Sequence, residues 1–285
     1  EIWRNQFMRT DGTPEGTIPL IDDIEVTDVE SLNNNVFVAG HDRYYNNWFV
    51  YRTDGTTSGT VNLLNRDYQF SSADMVSMHN RMYFYSNAGE LWESDGTPEG
   101  TVMLKDFHRI TDIEKAGGYL LFRVTTAAGG EELWRTNGTA SGIVKYKTIR
   151  TGSARLSRFS PSATIGTTHY FVANDGIHGN EIWRTRGTLG TTAMVADMNT
   201  VDTTFFESEF DISAFGVFRD SLYFSAIGQD HQWGLYKLNG ISGSPVKVAT
   251  TRLITQFIPA GNRLYFIMQG EGQIYSELWV TDGTA

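Results

Sequence analysis

No cysteine occurs in the 285 residues, which excludes disulfides, thiolate metal sites and cysteine nucleophiles. The compartment stays open on that ground, because a secreted chain with a large core does without disulfide staples. No apolar run approaches the roughly 18–20 residues that a membrane-crossing helix needs, so membrane insertion is not expected. No charged-then-apolar leader opens the chain at Glu1, and the chain is expected to be soluble. Basic residues are the minority: 23 Lys and Arg stand against 33 Asp and Glu, giving a formal net charge of −10. Phosphate backbones and anionic lipid surfaces would be repelled, so nucleic acid is not an expected partner. Also missing are a Ser-His-Asp order, a Gly-rich phosphate loop and a His-Glu-x-x-His pattern. With no paired carboxylates or clustered arginines legible in the chain, the expectation is that it is not an enzyme and has no catalytic residues.

What is present is a packed interior and a repeat. Hydrophobic residues make up 40% and aromatic residues 13%, enough for a core and too many for disorder. One motif recurs seven times. It reads Glu90-Leu91-Trp92-Glu93-Ser94-Asp95-Gly96-Thr97 in one copy and Glu277-Leu278-Trp279-Val280-Thr281-Asp282-Gly283-Thr284 in the last. Other copies centre on Asp11, Asp54, Asn137, Arg186 and Asn239, so successive motif positions lie 43, 41, 42, 49, 53 and 43 residues apart. That period is a propeller blade's, and the surrounding alternation of polar residues with Tyr, Phe, Val and Thr builds it from strands.

Each unit divides into four strands, a to d. Strand b is aromatic, as in Met82-Tyr83-Phe84 and Leu222-Tyr223-Phe224; strand c is the motif; strand d follows the second Gly, as in Val102–Asp106. The expected fold is an all-β propeller of four-stranded antiparallel blades. Three residues before the motif Asp stands a large side chain in every copy (Met8, Tyr51, Trp92, Trp134, Trp183, Tyr236, Trp279), as the interface between neighbouring blades requires. The Asp or Asn of the turn is placed to accept nearby backbone N–H groups, and the Gly after it tolerates a positive φ. Copies with Arg186 or Asn239 lack the carboxylate, so the motif reads as a fold device and not as a metal or catalytic site.

Carried by these residues, the chain resembles the bacterial ELWxxDGT repeat family, whose name Glu90 to Thr97 and Glu277 to Thr284 nearly spell. The resemblance runs through the whole chain and implies export: a secreted or cell-surface bacterial protein. It brings no catalytic residue with it.

Strands a and b occur six times and strand c seven, so six blades follow most simply, with seven as the alternative. Residues 1–285 would form one propeller domain, its ring closed by the N-terminal strand d (Thr17 to Ile21) pairing with the last blade. Function then falls to the irregular b–c and d–a loops, since regular Asp-Gly-Thr turns occupy the other face. The candidate ligand-binding residues are His41, Asp42, Tyr44 and Tyr45 in the first b–c loop, Asp175 and His178 in the fourth, and Gln229, Asp230, His231 and Trp233 in the fifth. The d–a insertions around Ser153 to Pro161 and Val201 to Glu209 add to the same face. Polar groups with exposed rings suit carbohydrate recognition. The expected role is therefore an extracellular binding or adhesion module for a glycan or a surface protein, with a structural part in a larger secreted complex as the alternative. No two histidines have ligand spacing, so no metal site is assigned, although calcium on loop carboxylates such as Asp175 or Asp230 is conceivable.

Overall fold

The computed structural model describes residues 5–42, 47–66, 74–86, 88–150, 161–175, 177–198, 212–240, 243–273 and 275–283. Seven antiparallel sheets, here A to G, follow one another along the chain. Sheet A pairs β1 (Gln6–Arg9) with β2 (Ile18–Asp22). Sheet B contains β3 (Glu25–Leu32), β4 (Asn35–His41), β5 (Trp48–Thr53) and β6 (Val61–Arg66); sheet C contains β7 (Met75–Met78), β8 (Arg81–Tyr85), β9 (Glu90–Ser94) and β10 (Val102–Asp106). Sheet D contains β11 (Arg109–Ala116), β12 (Tyr119–Thr125), β13 (Glu131–Thr136) and β14 (Val144–Arg150). Sheet E contains β15 (Ser162–Ile165), β16 (Thr168–Asn174), β17 (Asn180–Thr185) and β18 (Ala193–Ala196). Sheet F contains β19 (Ile212–Phe218), β20 (Ser221–Ile227), β21 (Trp233–Leu238) and β22 (Pro245–Thr250), and sheet G ends the chain with β23 (Ile254–Ala260), β24 (Arg263–Gln269) and β25 (Ser276–Thr281). Five sheets thus have the expected a-b-c-d meander. These are propeller blades. Only short 3-10 turns interrupt the strands among the described residues, and no helix there is long and apolar enough to cross a membrane.

The chain divides into two compact units, Glu1–Tyr146 and Lys147–Ala285, with the boundary inside β14. The N-terminal strand expected to complete the last blade is β2, and its partner is β1. Sheet G accordingly has three strands among the described residues, ending at β25.

Local chemistry explains the meander. Strands a and b join through two-residue turns in which Asn33 and Asn34, His79 and Asn80, and Arg219 and Asp220 all have positive φ, the geometry whose twist matches the flanking strands. Strand b is buried almost throughout, as in Met82–Tyr85, because a neighbouring sheet covers each face of sheet C. Strand d is mostly exposed.

The core sits between sheets. In the first unit, Phe37, Trp48 and Val50 of sheet B pack on Met82, Phe84 and Trp92 of sheet C, with the Trp48 and Phe84 rings 5.8 Å apart. Tyr83, Tyr85 and Leu91 on the other face of sheet C pack on Ile113, Leu120 and Phe122 of sheet D. In the second unit, Tyr170, Val172 and Ile182 of sheet E meet Phe224 and Tyr236 of sheet F, and Phe218, Tyr223 and Leu235 of sheet F meet Phe257 and Phe266 of sheet G. Burying a Phe such as Phe84 or Phe224 stabilises by about 1.5–3 kcal/mol relative to leaving it exposed.

Candidate functional site

The two ends of the sheets differ in kind. At the c–d end the motif closes on itself. Asp95 Oδ1 accepts the Thr97 backbone N–H at 2.9 Å and the Thr97 hydroxyl at 2.7 Å. Gly96 N donates to Ser94 Oγ, Gly100 N donates to Thr97 Oγ1, and the Thr101 hydroxyl donates to Thr97 O. The same bonds recur around Asp11 and Asp54, and Asn137 reproduces the two Thr bonds with its amide oxygen. Accepting from the Thr hydroxyl and then the Thr N–H holds the Asp11, Asp54 and Asp95 carboxyls below the usual carboxylate range. All seven motif glycines after the Asp position have positive φ. The Glu of the motif serves the indole: Glu90, Glu132 and Glu277 each accept the N–H of the Trp two residues on. In sheet E, Trp183 instead donates to Ala173 O, and Glu181 accepts Met198 N. These acceptors are spent on the fold.

At the opposite end lie the b–c loops with the residues expected to bind. In the first unit, His41 Nε2 lies 3.9 Å from Glu25 Oε2, and Asp42 is buried, its N–H donating to Asn47 O at 3.0 Å. Tyr44 and Tyr45 lie outside the described residues, as do the insertions of the long units around Ser153 and Val201.

In the second unit, Asp175 accepts the N–H groups of Ile177 and His178, each at 2.9 Å, while its other oxygen meets His178 Nδ1 at 2.7 Å. Burial pushes the Asp175 carboxyl up, but the bonds from His178 and Ile177 outweigh it and hold the group below the usual range. The hydrogen bond to Asp175 raises the half-exposed His178 ring above its ordinary value, with Asp197 adding to the field. Asp230 is paired with Lys247 and caps Gln232 N, and the Lys247 bond lowers its carboxyl. Gln229 and His231 are exposed at the tip of that loop, where His231 takes a positive φ, and Trp233 is half-buried at the start of β21. Asp175 and His178 are therefore brought together, whereas Asp230 is tied to strand d of its own sheet. Among the described residues no three His, Asp or Glu side chains converge to hold a metal.

Sequence reasoning missed a second set in the first unit. Asp28 and Asp112 lie on the first strands of sheets B and D and Asp74 immediately before that of sheet C, each directly before the residue that pairs with Val38, Phe84 or Phe122. Asp28 Oδ2 accepts Met75 N at 2.6 Å, linking sheet B to sheet C. Asp74 Oδ2 accepts the Tyr85 hydroxyl at 2.8 Å, and Asp112 Oδ2 lies 3.1 Å from Arg123 Nη2. Arg123 also reaches Glu131 Oε1 at 3.4 Å, and both of these side chains are buried. Desolvation acts to lower Arg123, but Asp112, Glu131 and Glu114 outweigh it and raise the guanidinium further. Asp74 is pushed up by desolvation and by the carboxylates of Asp112 and Asp28, with the Tyr85 bond opposing. Its signal was in the sequence: each of the three Asp residues stands five positions before its a–b turn, at Asn33, His79 and Gly117. The exposed ring of Tyr275 is another omission; it lies over Gly270, where a Cβ would collide with it.

No family model matches the sequence, and no curated protein matches it. Among solved structures, puromycin hydrolase is similar over 90% of this chain at 13% identity with a TM-score of 0.51, and this chain spans 45% of that protein's length. The computationally designed Ika8 protein is similar over 92% of this chain and 73% of its own, at 13% identity and a TM-score of 0.48. At 13% identity the likeness to the hydrolase shows the fold, an all-β propeller type, and no more. It does correct one expectation. Catalysis was set aside because no familiar order of catalytic residues could be read along the chain, yet an enzyme carries this fold. Residues that a propeller brings together come from successive blades, as Asp28, Asp74 and Asp112 do, and form no contiguous catalytic motif.

Proposed function

We propose that this chain is a secreted or cell-surface bacterial binding module that takes a glycan on the part of its sheets away from the motif turns, in keeping with its resemblance to the ELWxxDGT repeat family. The observation that supports this reading is the contrast between the motif turns and the carboxylate row of the first unit. The motif turns satisfy their own donors and acceptors, whereas Asp28, Asp74 and Asp112 stand in one register five residues from the a–b turns, each holding a partner through one oxygen, with Asp74 exposed and Asp112 partly so. Carboxylates accept pairs of sugar hydroxyls.

A glycan array with the purified chain, run with calcium and again with a chelator, tests the proposal. Specific binding in either condition supports it, and loss under chelation brings calcium into the site. A blank array in both conditions rejects the glycan and turns attention to a protein partner. A second reading, a structural part in a larger assembly, is favoured by one observation: sheet G exposes Leu278, Trp279 and Val280.

A further inference from the structure

Three of the b strands carry a tyrosine at one register position, opposite the residue two before the motif Asp position: Tyr83 opposite Glu93, Tyr170 opposite Arg184 and Tyr223 opposite Lys237. In sheets C and F its hydroxyl is spent on the motif turn of the following sheet. Tyr83 donates to Gly138 O at 3.2 Å and Tyr223 to Gly283 O at 3.4 Å. Each of these oxygens lies where a Cβ on that glycine would stand.

In sheet E the bond is missing. Tyr170 packs on sheet F with Leu222 and Leu238 and is 0% exposed, yet its hydroxyl has no hydrogen-bond partner among the described residues. The motif glycine of sheet F is Gly240, and among the described residues no atom lies within 4 Å of a Cβ built on it. Burying a hydroxyl without a partner is costly, so this one calls for an acceptor from outside the chain.

Beside that hydroxyl the motif reverses its charge. Arg186 stands at the Asp position, exposed, with its Nε donating to Thr168 Oγ1 at 3.1 Å, and the turn from Arg186 to Thr192 contains no carboxylate. Arg184, half-buried, is the direct cross-strand partner of Tyr170, and Thr168 lies two residues from Tyr170 on β16. Alternate residues of a strand share a face, so Thr168, Tyr170 and Arg184 stand on one side of sheet E and Arg186 reaches over the same side. Burial pushes the Tyr170 phenol up, and the Arg184 and Arg186 guanidiniums are near enough to oppose it. A buried O–H donor with two guanidiniums nearer the surface is a donor set for one oxyanion, because the guanidinium fork matches paired carboxylate or sulfate oxygens.

We propose that the motif end of sheet E, where it faces sheet F, is an oxyanion site in which Tyr170, Arg184 and Arg186 take a single carboxylate or sulfate group. Sheets E and F both belong to the second unit, so the site is separate from the carboxylate row of the first.

Isothermal titration calorimetry of the full chain at constant ionic strength tests it, with inorganic sulfate, glucose 6-sulfate, glucuronate and glucose as ligands. Wild type is compared with Tyr170→Phe, which removes only the hydroxyl, and Arg186→Gln, which removes the charge but keeps a donor towards Thr168. The expected result is one saturable site for the charged ligands and none for glucose, with affinity at least about tenfold lower in each variant, the loss of one hydrogen bond to a charged group. Tighter binding of the charged sugars than of sulfate makes an acidic sugar the carrier of the group; equal binding makes it the free oxyanion. Wild type that binds none of the charged ligands overturns the proposal, as does wild-type affinity in either variant. A Tyr170→Phe variant that melts well below wild type would show that the hydroxyl is already bonded within the fold and overturns it too.

Discussion

The Asp95 carboxylate lies against the α-carbon of Gly100, filling the space that a side chain at position 100 would take. Asp11 with Gly16, Asp54 with Gly59, and Asn137 with Gly142 repeat the contact. Sheet E breaks both rules at once: Arg186 replaces the Asp, and Thr191 replaces the Gly. There the Thr191 hydroxyl accepts Thr188 N at 3.3 Å and bonds Thr188 Oγ1 at 2.9 Å, the two groups that a motif carboxylate serves elsewhere. The pair is exchanged as a unit because one volume holds one acceptor.

That exchange predicts a double-mutant cycle. Gly100→Thr alone should destabilise by about 1–3 kcal/mol through overpacking against Asp95. Adding Asp95→Arg should recover much of the loss by recreating the arrangement of sheet E. Urea unfolding of the two single variants and the double variant measures the coupling; additive losses would contradict the account.

The motif carboxylates also set an acid limit. Their folded pKa values are depressed by the Thr bonds, so their contribution is present above the ordinary Asp value of about 3.9 and is lost as pH falls through the lower folded values. Replacing Asp11, Asp54 and Asp95 by Asn, the residue found at 137, should flatten the acid side of a stability–pH curve. A curve of unchanged steepness would show that other groups set that limit.

His178 runs the other way. Its folded pKa is raised by Asp175, so the pair stabilises fully below the ordinary His value of about 6.5, and the effect is lost as pH rises through the higher folded value. In an NMR titration, Asp175→Asn should bring the His178 midpoint down; an unmoved midpoint would mean that the pair does not form.

Within the carboxylate row of the first unit, Tyr85→Phe removes the one bond that opposes the upward shift of Asp74, and the Asp74 carboxyl should titrate still higher in carbon-detected NMR. Arg123→Met leaves Glu131 buried beside Asp112 without a cation and should cost about 3–5 kcal/mol in chemical denaturation.

The blades were legible because their signals are local and repeated. The motif and the aromatic strand b each follow from residue types at fixed offsets, and the packing role of Trp92 followed from its size and recurrence. The site was much less legible. Asp28, Asp74 and Asp112 recur at one offset, but the other three units carry Pro161, Ala214 and Gln256 there, so the pattern fades against the stronger motif. Nor does sequence tell which acceptors a loop consumes: Asp175 and Asp230 look alike in their loops, yet one holds a histidine and the other a lysine from a strand 17 residues on. Arg123 was the clearest unread sign, a charge inside the apolar run Leu120–Val124 that only a pair of carboxylates makes tolerable.

The division between self-satisfied motif turns and the carboxylate row of the first unit is tested most directly by one comparison on the glycan array: wild type against Asp74→Asn with Asp112→Asn, and against Asp95→Asn. The account predicts that the carboxylate-row variant loses the wild-type glycans while the motif variant keeps them. Binding that survives in the carboxylate-row variant and disappears with Asp95→Asn would contradict it.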